Sequence, residues 1–290
     1  ILNKAIDSGI NFIDTADVYN GGLSEKYIGK VLKSRSEKVY VATKCGRFLN
    51  PHISEGYNSE NITCFIENSL KSMDVEALDL IQLHCPPTEV YYKDEVFQAL
   101  DDLKKQGKIL NYGVSVEKVE EALKAIEYPG VSTVQIIFNM FRQKPAELFF
   151  EEAKKKNVGI IVRVPLASGL LTGKFTSETV FNKDDHRFFN RKGEAFDKGE
   201  TFSGVDYELG LKAVEELKKV FPDNVPLSKH ALRWILMYDA ISCIIPGASR
   251  AEHVQSNLDA AGLPALSERE MGKVREVYDN YIKPHVHNLW

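Results

Sequence analysis

Short apolar runs alternate with charged segments of helical period along the whole chain. The runs are Asn11–Asp14, Val39–Lys44, Asp79–His84, Asn111–Val116, Thr133–Asn139, Gly159–Pro165 and Ser242–Gly247. Most are almost continuously apolar in the middle, as parallel strands covered on both faces are. Helical segments with recognisable starts and stops lie between them. Ser24 precedes residues 25–34, Ser59 precedes residues 60–73, residues 93–105 stop at Gly107, and residues 117–127 stop at the Pro129–Gly130 pair. Further helices are predicted over 145–156, 206–220, 227–238, 251–261 and 268–281.

Alternation this regular predicts an α/β protein with a parallel sheet and right-handed crossovers. Seven strands with helices between them fit a closed (β/α)8 TIM barrel better than a doubly wound sheet, and no G-x-G-x-x-G follows any strand. The opening residues 1–9 read as the end of a helix, so the first strand of the barrel is expected upstream of Ile1, where a targeting peptide also stays open. Residues 1–290 are expected to form one barrel domain. Two long loops follow strands, at 46–57 and 176–205, and would lie on the C-terminal face where barrels bind substrates. The second is read either as a mobile lid or as an ordered cover.

Composition narrows the partners. The 37 Lys and Arg against 41 Asp and Glu give a formal charge of −4, with 43% apolar residues. Such a balance offers no electrostatic reason for nucleic acid or anionic membrane as the main partner. No apolar run approaches the ~18 residues of a spanning helix. Cys45, Cys64, Cys85 and Cys243 form no C-x-x-C pair, which fits a reducing compartment, so the cytoplasm is expected. No long apolar stripe marks an oligomer interface, and no clustered His/Asp set marks a metal; His285 and His287 near the C-terminus are a weak candidate pair.

Ionisable groups stand where strands are predicted to end. Asp14 closes one run, Lys44 the next and His84 the third. At the mouth of a barrel an acid, an amine and an imidazole would converge. Each alone has a structural explanation, as a buried ion pair or a hydrogen-bonded core histidine. Tyr19 lies five residues beyond Asp14 in the stretch DTADVY, a spacing that lets its phenol reach back toward Lys44. An ammonium favours the phenolate form of a neighbouring phenol, which makes that phenol a better proton donor to a developing alkoxide. The four residues together form a proton-donor set for carbonyl reduction.

DTADVY, VATK and LIQLHCP resemble the motifs around the catalytic tetrad of the aldo-keto reductases, in that family's order and across nearly the whole chain. The resemblance implies Tyr19 as general acid, Lys44 as its activator, Asp14 as the partner of Lys44, and His84 as the residue that orients the carbonyl. It also implies hydride from a reduced nicotinamide. Ser115 and Gln135 match carboxamide contacts. Arg163 replaces the aromatic residue that usually stacks on the nicotinamide; pairing with Asp14 or a loop acid is the other reading. Leu166, Gly169 and Lys174 would line the pyrophosphate. Residues 245–257 resemble the adenosine-phosphate site, with Gly247 and His253 where other members often carry a lysine and an arginine. Arg250 would supply that charge, so NADPH is expected over NADH. Asn257 matches an adenine contact, and Ser249 is either part of this site or a helix cap.

Two other functions use the same residues. The family includes channel-associated β subunits that bind nicotinamide cofactor with little turnover. A Schiff-base aldolase would use Lys44 as its nucleophile, but it has no need of Tyr19 at this spacing.

Overall fold

The computed structural model describes residues 1–222 and 224–290. Each apolar run contains a strand: β1 (Phe12–Asp14), β2 (Tyr40–Cys45), β3 (Leu80–His84), β4 (Tyr112–Ser115), β5 (Val131–Ile137), β6 (Gly159–Arg163) and β7 (Ile241–Ile244). The fifth run is displaced from its expected 133–139. Asn139 closes a turn instead, its side-chain carbonyl accepting from the Phe141 N–H at 2.8 Å. The last strand stops before Pro246, which has no N–H to give a ladder.

The helices are α1 (Leu2–Asp7), α2 (Leu23–Lys33), α3 (Ser59–Met73), α4 (Asp94–Lys105), α5 (Val119–Ala125), α6 (Phe149–Lys155), α7 (His186–Phe189), α8 (Tyr207–Lys218), α9 (Leu227–Ile235), α10 (Ala251–Ala261), α11 (Glu268–Val277) and α12 (Lys283–Val286). Two starts differ from expectation. Ser24 lies inside α2, and its hydroxyl shares a 2.8 Å hydrogen bond with that of Thr15. Asn58 rather than Ser59 caps α3, accepting from the Asn61 N–H at 2.9 Å. The long C-terminal helix ends early at Val277 and widens into a π turn over Tyr278–Ile282, just before Pro284.

The described chain divides into two compact units. The first holds residues 1–116, 120–135 and 153–159. Its strands β1 to β5 pair in parallel in chain order, with Asp14 opposite Ala42, Lys44 opposite Gln82, His84 opposite Ser115, and Ser115 opposite Gln135. This register sets the ionisable strand ends side by side. On the outer layer α2 packs on α3 with almost no gap. A Cβ at Gly29 would stand 2.2 Å from the Met73 carbonyl oxygen.

The second unit holds residues 117–119, 136–152 and 160–290. Here β6 pairs in parallel with β7. The aromatic rings of Phe138, Phe150, Trp234 and Tyr238 form one cluster, with Phe138 4.8 Å from Phe150 and 5.0 Å from Trp234. The segment 176–205 is folded on a second cluster. Arg191 stacks 5.0 Å from the Tyr207 ring and Arg187 4.9 Å from that of Phe181. Asn190 is fully buried and accepts from the N–H groups of Ala195 and Phe196. Trp290 packs under Arg142, 3.9 Å from ring centre to guanidinium. His287 is held between the Tyr278 hydroxyl (2.8 Å) and Glu147 (3.1 Å).

Gly29→Ala forces α2 and α3 apart and is expected to lower stability by roughly 1–3 kcal/mol, read as a lower urea midpoint at unchanged m value.

Candidate active site

The expected site residues fall into two groups, one in each unit. In the first unit Lys44 is 1% exposed, and its ammonium donates to Asp14 Oδ2 at 2.5 Å and to the Thr15 carbonyl at 2.8 Å. Gln135 Nε2 donates to the second Asp14 oxygen at 2.7 Å. Beyond Tyr19 the backbone of Asn20, Gly21 and Gly22 is left-handed, with φ of 51°, 61° and 86°. That reversal turns the chain into α2 and leaves the phenol ring 5.2 Å from Lys44 Nζ. The Tyr19 ring meets the His84 ring edge to face, centroids 5.8 Å apart. The structure therefore brings Asp14, Tyr19, Lys44 and His84 together. Tyr19 is 42% exposed over a buried cation and a buried imidazole, an arrangement that leaves a reacting molecule access to the hydroxyl.

Ser115 is buried beside this set, its hydroxyl 3.5 Å from Cys85 Sγ. The Gln135 amide is turned to Asp14, because a buried carboxylate oxygen needs a donor. Its carbonyl end is left over for a further partner.

In the second unit Arg163 ends β6, with Glu117 at 2.9 Å and Glu200 at 3.6 Å. Arg163 thus pairs with acids, Glu117 more closely than Glu200 of the segment 176–205, and an in-plane pair of this kind is compatible with stacking of the guanidinium face on a ring. Burial pushes the Glu117 carboxyl above its ordinary range; Arg163 opposes the shift, and Glu200 adds to it.

Leu166, Gly169, Lys174, Gly247, His253 and Asn257 all line one cavity of about 600 Å³, with Arg187 and Glu200 on its wall. That volume suits a small ligand or part of a larger one. Three features fit a phosphate-bearing dinucleotide. Lys174 brings positive charge, while the charge of Arg187 is shared with Asp185 at 2.5 Å. A Cβ at Gly247 would meet nothing within 4 Å, so the strand-to-helix turn stays open. The first turn of α10 has Arg250 as its N-cap and no side-chain cap; the His253 N–H bonds the Arg250 carbonyl at 3.1 Å, and the N–H groups before it are left for an anion. Ser249 is thus not the cap. It bonds His253 Nδ1 at 3.3 Å, while Arg250 donates to His253 Nε2 at 3.2 Å.

The sequence reading passed over two buried carboxylates in the first unit. Asp17 is 6% and Glu25 2% exposed. Glu25 Oε1 accepts from the Thr43 hydroxyl at 2.6 Å, one residue from Lys44. Asp17 lies in the DTADVY stretch itself, between Asp14 and Tyr19. Burial foremost, then the Glu25 carboxylate, pushes the Asp17 carboxyl up to about 7. The signal was present: a second acid in a segment predicted to cross the mouth. Gln82, fully buried opposite Lys44, was also missed; neither of its amide atoms has a hydrogen-bond partner among the described residues.

Among known proteins, the model of the Aldo/keto reductase family matches residues 1–279. Aldo-keto reductase YhdN of Bacillus subtilis is 28% identical over 286 residues, 97% of this chain and 83% of its own. An aldo-keto reductase of Schizosaccharomyces pombe, yakc, named with NADP(+), is 26% identical over 97% of this chain and 82% of its own. The solved structure of a glycerol dehydrogenase of Gluconobacter oxydans has a TM-score of 0.78 and 28% identity, covering 100% of this chain and 86% of its own. The (β/α)8 barrel class inferred from the alternation is the fold of these neighbours.

The raised Asp17 carboxyl has a consequence for stability. Between its ordinary value of 3.8 and about 7 the folded chain holds a proton that the unfolded chain has lost. Stability contributed by this group is thus complete at low pH and lost as pH rises toward neutrality. Asp17→Asn is expected to be the more stable protein at about pH 8, by on the order of 3 kcal/mol, with the gap closing toward about pH 4. Thermal melts across that range check it, and a gap independent of pH would count against the raised carboxyl.

Proposed function

The chain belongs to the aldo/keto reductase family, and from that premise we propose that it reduces the carbonyl of an aldehyde or ketone with NADPH, with Tyr19 as the proton donor. The observation that carries this reading is the ring of Tyr19 held between the Lys44 ammonium and the His84 imidazole. The bound nicotinamide supplies hydride.

Tyr19 gives its proton to the carbonyl oxygen as negative charge develops there. Lys44, fixed by Asp14 and the Thr15 carbonyl, favours negative charge on the phenol left behind. A buried ammonium with two acceptors cannot swing away, so its field is aimed before substrate arrives. His84 orients the carbonyl. Ser115, with the free carbonyl end of Gln135, holds the carboxamide of the cofactor. The two ion pairs of Arg163 fix the guanidinium plane and leave its face for stacking on a ring. Leu166, Gly169 and Lys174 take the pyrophosphate, and Gly247, Ser249, Arg250, His253 and Asn257 the adenosine phosphate.

NADPH rather than NADH rests on Arg250, which is drawn to the exposed start of α10 by its bond to His253. A 2′-phosphate offers that guanidinium charge-assisted hydrogen bonds that a hydroxyl does not. No helix among the described residues is long and apolar enough to cross a membrane.

Loss of nicotinamide absorbance with a panel of aldehydes, run with NADPH and NADH in parallel, tests the reading. No turnover with either would favour the cofactor-binding subunit. Tyr19→Phe is expected to lose at least ~100-fold in turnover with NADPH affinity changed by less than about twofold; near-normal turnover removes Tyr19 as the acid. Arg250→Ala is expected to weaken NADPH by roughly 1–2 kcal/mol and NADH hardly at all. Equal losses in equilibrium binding would show that it does not read the phosphate.

A further inference from the structure

Three carboxylates lie close to β2 in the first unit: Asp14 on the Lys44 ammonium, Glu25 on the Thr43 hydroxyl, and Asp17 facing both Glu25 and Lys44. Asp14 has two partners, Lys44 and Gln135, and Glu25 has the Thr43 hydroxyl. Neither oxygen of Asp17 has a hydrogen-bond partner of good geometry, although the acid is 6% exposed. A buried carboxylate left so bare is strongly disfavoured against its protonated form.

We propose that Asp17 is a positioning residue that works in its protonated form, and that its ionisation weakens the Lys44 field on which proton release from Tyr19 depends. The inference rests on the reading of Tyr19 and Lys44 given above. Asp17 reaches Lys44 through the backbone as well, its N–H donating to the Lys44 carbonyl at 3.1 Å. It therefore holds the turn that carries Tyr19 against the strand that carries Lys44. The groups facing it all bear on its charge. Glu25 of α2 raises its carboxyl, while Lys44 of β2 and the N–H groups of Val18 and Gly46 lower it. Cys45 and Tyr57 also face it, and burial pushes both upward, so they stay neutral there. Burial and Glu25 prevail, and the Asp17 carboxyl is held at about 7.

With the proton on Asp17, Lys44 faces one carboxylate, Asp14, and keeps its effect on the phenol. Without it, Lys44 faces two, and negative charge on Tyr19 is opposed. No electron or heavy atom moves; the proton is exchanged with solvent. The sign follows directly: turnover is complete below the Asp17 transition and falls as pH rises through it.

The test uses the full chain. In the cofactor-free protein near pH 5.5, the infrared difference between wild type and Asp17→Asn is expected to show the carbonyl absorption of a protonated carboxylic acid, gone by about pH 8.5. With saturating NADPH and an aldehyde, wild-type kcat is expected to fall through the Asp17 transition to a lower plateau. The alkaline limb of Asp17→Asn lies at least about one unit higher, with KM changed by less than about twofold. Glu25→Gln removes a neighbouring negative charge and moves the limb the other way. Absence of the protonated-carboxyl band at low pH, or profiles of both variants that trace the wild type, overturns the proposal. A wild-type chain without turnover overturns the reductase reading instead, and the infrared band then decides by itself whether Asp17 holds the proton.

Discussion

The ammonium of Lys44 is the constraint around which the first unit is arranged. It is 1% exposed, and a cation so buried is tolerated only with its full set of acceptors. Asp14 and the Thr15 carbonyl provide two. That requirement fixes the register of β1 against β2, the direction of the chain beyond Asp14, and the donor that Gln135 must bring to the second Asp14 oxygen. Tyr19 and His84 then occupy the ground that remains beside the charge. The groups gathered at this site are those that make the buried lysine tolerable.

Negative charge exceeds positive charge in the same place. Asp17 and Glu25 add two carboxyls to a region that already holds one ion pair, with little water to stabilise them. Such an excess is relieved by taking up protons. Asp17 is the group that burial and Glu25 push furthest toward its protonated form here.

In the second unit arginines are held by other means. Arg187 and Arg191 lie over aromatic rings, Arg142 lies over Trp290, and Arg163 lies between two carboxylates. Planar, weakly hydrated guanidinium groups accept ring faces as partners where an ammonium would need oxygen atoms. This explains how the segment 176–205, rich in Arg, Phe, Asp and Gly and poor in helical pattern, folds without a long helix or strand of its own. It also puts Arg187 on the wall of the cavity that Lys174 and Gly247 line.

The sequence by itself determined the seven strands, most of the helices, the three ionisable residues at strand ends and the tyrosine just beyond the first of them. Strand and helix periods are local properties, written in the spacing of apolar side chains. The family resemblance added roles to Asp14, Tyr19, Lys44 and His84. What no local pattern carried was partnership across long separations. Asn139 ended β5 by turning its amide onto Phe141. Gln135 turned to Asp14, 121 positions away in the chain. Arg163 took Glu117 and Glu200, and Asp17 was left buried with only backbone N–H groups and the Lys44 charge to oppose its neutral form. Each outcome depends on which polar groups lose water together when the chain closes. That is decided by packing in three dimensions, because the cost of an unpaired buried charge is set by all its neighbours at once.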